Sequence, residues 1–141
     1  MNEMITIPSK DFGNFQLNYD IIPSSDFNDL EYIDENYVAI LRFSAPGTSV
    51  SVVVSAWQLE YWFNCFELSA ADGGVYMKTL PIMCTRKEYD GFYVAIYKNK
   101  LSFRSGTMSI SINLADCLEE FANYVYKIWQ QLEEKEESWW S

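Results

Sequence analysis

The sequence predicts an α+β domain, a mostly antiparallel sheet of about six or seven strands covered by two helices. Three observations carry that reading. Short alternations of apolar and polar residues recur in both halves of the chain, with turn residues between them. A valine-rich run passes at Ser55 into a segment with helical spacing. The last quarter of the chain carries one long amphipathic stripe. The chain has 141 residues, and residues 1–141 read as a single domain large enough to bury a core.

The order of elements follows from local pattern. Phe15, Leu17, Tyr19 and Ile21 alternate strictly within residues 11–22, as on a half-buried strand, and Pro23-Ser24-Ser25 ends it. Tyr37 to Phe43 is a second strand, turned back by Ala45-Pro46-Gly47-Thr48 into a third, Ser49 to Val54. Ser55 with Gln58 forms a capping-box pair at the head of a helix over 56–70. Leu59, Trp62, Phe63 and Phe66 make its apolar face, and Asp72-Gly73-Gly74 stops it. Val75 to Leu80 is extended, and Pro81 pushes it toward a sheet edge, with Ile82 to Thr85 as its continuation. After a turn at Glu88 to Gly91, three strands follow at Phe92 to Tyr97, Leu101 to Arg104 and Thr107 to Ile112. Asn113 is placed to cap a second helix over 114–136, with Asp116 in its first turn. Its inward stripe includes Leu118, Phe121, Val125, Ile128 and Leu132.

Composition narrows the function. Twenty acids against ten bases give a formal charge of −10, and the acids gather at the two ends. Residues 1–36 hold eight acids and one base, residues 37–115 five and seven, and residues 116–141 seven and two. Such a chain is poorly suited to phosphate backbones or anionic membranes, whose attraction depends on Lys and Arg. It suits a basic protein partner, although acidity also serves plain solubility. No apolar run approaches the roughly 20 residues needed to span a bilayer. The opening Met1-Asn2-Glu3-Met4 has no basic region followed by an apolar stretch, so no signal peptide is expected. Cys65, Cys84 and Cys117 are odd in number and lie among apolar residues, as reduced core thiols do in the cytoplasm.

Catalytic signatures are missing. The chain has no histidine, which removes Ser-His-Asp and Cys-His catalysis and histidine metal sites. No GxGxxG, P-loop or paired CxxC occurs. No cofactor and no metal are therefore expected. Cys65 has no flanking base and reads as a small core hydrophobe. Trp57, Tyr61 and Trp62 fit either a ligand wall or helix packing, and packing is the commoner use. Lys98, Lys100 and Arg104 form a basic spot that solubilises turns or answers an acidic patch on a second copy.

Tyr37-Val-Ala-Ile-Leu-Arg-Phe43, Ser51-Val-Val-Val-Ser55 and Leu59 to Leu68, followed by the pattern of Phe92 to Leu132, give the chain its layout. In that layout, over about two-thirds of its length, it resembles small immunity proteins of bacterial toxin systems, of the wall-associated-toxin immunity type. The resemblance implies a protein that binds and blocks a cognate toxin, often a basic nuclease, and catalyses nothing. No functional residue carries over by motif. The residues expected to bind the partner come instead from the acidic connection: Asp26, Asp29, Glu31, Tyr32, Asp34 and Glu35, with Phe27, Leu30 and Ile33 as further apolar anchors. The opposing reading turns those apolar residues inward and leaves the acids facing water. Two other functions stand beside the immunity reading. One is a phage-type inhibitor that mimics nucleic acid to block a host defence or DNA enzyme. The other is an enzyme or small-ligand binder built on the aromatic cluster.

Overall fold

The computed structural model describes residues 4–9, 13–26, 35–45, 47–72, 76–83, 92–105 and 108–140. Within them the chain is α+β, with strands sorted into two antiparallel four-stranded sheets. The first sheet is the meander β1 (Met4–Ser9), β2 (Gly13–Pro23), β3 (Tyr37–Ala45) and β4 (Thr48–Val54). The second is β5 (Met77–Leu80), β6 (Phe92–Tyr97), β7 (Lys100–Ser105) and β8 (Met108–Asn113). Helix α1 (Ala56–Ala71) joins the sheets, and α2 (Leu118–Trp140) ends the chain.

Each sheet turns one face inward because of the two-residue period of its strands. In the first, Leu17, Phe43 and Val50 share a row, as do Tyr19, Leu41 and Val52. In the second, Val94, Phe103 and Ile110 align, and beside them Ile96, Leu101 and Ile112. These side chains are buried or nearly so. The opposite faces are mixed: in the first sheet Ile40 and Val53 stand with Arg42, which pairs with Asp20, and in the second Tyr93 stands opposite Arg104. The sheets approach each other on both flanks. Strand β1 lies near β8, and on the far side Met83 N–H donates to Val53 O at 2.8 Å.

Both helices close the core between these inward faces. Trp62 is fully buried on α1, and its Nε1–H donates to Pro81 O at 2.7 Å. From α2, Phe121 meets Phe66 of α1 at a centroid distance of 5.0 Å and Phe43 of β3 at 6.2 Å. Phe43 in turn meets Phe103 of β7 at 4.9 Å. Four aromatic rings thus join both sheets and both helices. Tyr19 reaches α2 as well, edge-on to Tyr124 and donating through its hydroxyl to Gln131 Oε1 at 2.6 Å.

Several boundaries differ from the expectation, each for a local reason. Asn113 stays in β8, and its Oδ1 accepts from Ala115 N–H at 2.9 Å. It therefore caps a turn over residues 115–117 instead of the helix, which starts at Leu118. Asp116 lies in that turn and not in the first turn of α2. Strand β1 was not marked by alternation, because its run Met-Ile-Thr-Ile-Pro-Ser contains a proline, a residue that sheets accept at an edge. The strands expected in one sheet divide into two. At the head of α1, Gln58 Oε1 accepts Ser55 N–H at 3.0 Å, which is one half of the capping box. Ser55 takes the extended N-cap conformation (φ −94, ψ 173) in which the expected capping box with Gln58 forms. Gly47, at φ +79, supplies the left-handed residue that the β3–β4 turn requires.

Replacing Phe121 by Ala removes the ring common to three of these elements. The expected loss is about 3 to 5 kcal/mol of unfolding free energy, read from denaturant midpoints at constant m-value. A loss below about 1 kcal/mol would mean that the core is not organised around this ring.

Candidate functional site

The acidic connection between β2 and β3 is an excursion with a pinned base. A short 3-10 turn, Ser24–Asp26, opens it. Ser24 N–H donates to Asn36 O at 2.8 Å, and Ser24 Oγ donates to Glu35 O at 2.7 Å. Of the expected binding residues, Asp26 and Glu35 mark the two ends of the excursion. Asp29, Glu31, Tyr32 and Asp34 lie outside the described residues, as do Phe27, Leu30 and Ile33.

The end of α2 docks on the same base. One oxygen of Glu136, Oε1, accepts Asn36 N–H at 2.7 Å and Tyr37 N–H at 2.9 Å, and Oε2 accepts from Asn36 Nδ2 at 3.2 Å. Lys135 Nζ lies 5.8 Å from the centroid of the Tyr37 ring. These contacts join residues about a hundred apart in sequence and seat the last turns of α2 on the base of the acidic connection. The acids of the last turns are not equivalent there. Glu136 is a clamp, and Glu133 accepts Trp129 Nε1–H at 3.1 Å. Glu134 and Glu137 are exposed and make no hydrogen bond among the described residues.

A second feature lies toward the other end of α2, where α1 and α2 run side by side. A cleft of about 300 Å³ opens between them over Phe66, Ala70, Leu118 and Ala122, with Glu67 and Glu119 on its rim. It opens because Ala70 and Ala122 are too short to fill the space between the two helices. A shallower depression of about 510 Å³ continues past Asn99, Asp116 and Glu120. Asn99 is held there by Ser69, whose Oγ lies 2.6 Å from Asn99 Oδ1. No cation lines either hollow. Cys117, half-buried in the wall, feels this environment: burial pushes its thiol pKa up, and the carboxylates of Glu120 and Asp116 push it further. Sequence reading missed the cleft because its two alanines lie on different helices. Only the pairing of α1 with α2 sets them opposite each other.

The other candidate groups resolve into packing. Trp62 is core, Trp57 is exposed, and Tyr61 is half-buried with Lys78 Nζ 6.0 Å from its ring centroid, so the three do not form a wall. Cys65 is buried and free; desolvation raises its pKa, while the hydrogen bond donated by Tyr76 at 3.6 Å acts the other way. That same bond, first among its causes, holds the Tyr76 hydroxyl pKa up at about 12. Cys84 lies outside the described residues. Arg104 donates to Tyr93 Oη at 2.9 Å, and Lys98 stands 5.3 Å from the Tyr97 ring centroid, so the basic spot runs along one strand pair. Among the described residues no three His, Cys, Asp or Glu side chains converge on a metal position, and no helix is long and apolar enough to cross a membrane.

No family model, no curated protein and no solved structure matches this chain.

Two outcomes test this geometry. Glu136→Ala strips the acceptor from two backbone N–H groups and should destabilise the fold by about 1.5 to 3 kcal/mol, whereas Glu134→Ala should change it by less than about 0.5 kcal/mol. Equal effects in urea titration would show that the clamp carries no special weight. Cys117 should alkylate more slowly at pH 8 than an unhindered thiol, because a raised pKa leaves less thiolate at a given pH. Glu120→Gln should speed that reaction by lowering the pKa, and an unchanged rate would remove the carboxylate from the account.

Proposed function

We propose that this chain is a non-catalytic acidic binding protein of the immunity type, which neutralises a cognate basic toxin domain in the cytoplasm by direct contact. The observation that carries the reading is the Glu136 clamp. It seats Asn36 and Tyr37, at the foot of the acidic connection, on the last turns of α2, which carry Glu133, Glu134 and Glu137. A field of one sign speeds encounter with a cationic partner and leaves affinity to a few central contacts. Tyr32 is the residue type best suited to such a contact. Asp29, Glu31 and Asp34 supply the attraction, and Glu134 and Glu137 add to it. The pinned base of the loop lowers the ordering cost that a free loop would meet on binding.

The test takes the product of the gene adjacent to this one as the partner. Co-expression should relieve its toxicity, and the two purified proteins should form a complex. The triple variant Asp29→Asn, Glu31→Gln, Asp34→Asn should slow association by roughly tenfold or more at low ionic strength, with little change in unfolding free energy. An unchanged association rate would remove the connection from the interface. Failure to relieve toxicity would remove the immunity reading itself.

A further inference from the structure

The cleft between α1 and α2 borders a basic turn, and the two are locked side by side. Lys98 and Asn99 form the two-residue turn between β6 and β7, both left-handed at φ 53 and 58. Asn99 O accepts Leu114 N–H at 2.8 Å, and its side chain meets Ser69. Lys98 and Lys100 therefore flank a residue that lines the acidic hollow, while Asp116 and Glu120 line the same hollow from the other side. All four side chains are exposed. Among the described residues no ion pair joins the two lysines to these acids; the pair formed there is Arg42 with Asp20, elsewhere.

Adjacent patches of opposite sign, with no ion pair between them within the molecule, are complementary to themselves across a two-fold axis. We propose that a second copy of this chain docks here as an isologous dimer, with Lys98 and Lys100 of each copy meeting Asp116 and Glu120 of the other. The lysine stems cover the apolar floor at Ala70 and Leu118, and the ammonium groups reach the rim carboxylates. Each contact occurs twice, so the interface closes at two copies. At about 0.15 M ionic strength the screening length is about 8 Å. The repulsion of two chains of charge −10 is then largely screened, while ion pairs in contact are screened far less. The acidic pole stays open in the dimer, because Glu136 lies about 27 Å along α2 from Leu118.

Charge exchange tests this on the full chain by sedimentation velocity at about 0.15 M ionic strength. The wild type should show a concentration-dependent monomer–dimer equilibrium. The variant Lys98→Glu, Lys100→Glu should be monomeric, and so should Asp116→Lys, Glu120→Lys. Mixing these two variants should restore a dimer, since both contacts then join opposite charges again. Circular dichroism of each variant confirms that it is folded, and the mixing arm requires both to be so. A wild type still monomeric at about 1 mM overturns the proposal and leaves the cleft to a lysine- or arginine-bearing partner. A dimer that survives in either variant, a mixture that stays monomeric, or a mass that grows beyond two copies overturns it as well.

Discussion

The contact of Phe43 with Phe103 and Phe121, extended through Phe121 to Phe66, is the interaction on which the remaining structure depends. Each of the two sheets is an antiparallel meander of its own, and an isolated bridge joins Val53 of β4 to Met83, just past the end of β5. What holds the sheets together is side-chain packing, and aromatic rings bury more area per residue than any other type. Phe121 contributes most because it is shared. It lets α2 rest on β3 and on α1 at once, and this sets the direction in which the rest of α2 runs.

That direction decides where the charge goes. From Phe121 the helix carries its apolar stripe through Val125, Ile128 and Leu132, all buried, and delivers Glu136 to the start of β3. The clamp there is a charge-assisted one, a carboxylate on backbone N–H groups, and such bonds are about twice as strong as neutral ones. It leaves the neighbouring acids outward. The same helix presents Glu119 and Glu120 at its other end, beside the alanines that open the cleft. One helix therefore carries two acidic regions with different characters, one on the base of a loop and one on the rim of a hollow.

The two described thiols, Cys65 and Cys117, have raised pKa values, which makes them poor nucleophiles at neutral pH. The buried aromatic rings serve packing. Among the described residues the outward-facing groups include carboxylates, lysines and the aromatics Trp57, Tyr93, Tyr97 and Tyr126, all on helices, strands or a tight turn.

Much of the fold was legible in the sequence. Helix α1 follows from Ser55, Gln58 and the Leu59–Phe66 spacing, and β6 to β8 from period-two alternation, because these signals act over a few residues. The α2 core stripe through Phe121 and Ile128 was equally plain. Its start was not, since Asn113 offers the same side-chain acceptor to a turn as to a helix, and only the packing of Cys117 and Leu118 decides between them. The candidate sites divide in the same way. The sequence by itself determined that acids gather at both ends, that no histidine is present and that the connection from Asp26 to Glu35 is acidic. Tertiary structure alone decided that Glu136 closes on Asn36 and Tyr37 at the foot of that connection, and that Ala70 faces Ala122 across a cleft near Lys98. Those pairings join residues far apart in the chain, and no local periodicity encodes which distant surfaces a buried ring will bring together.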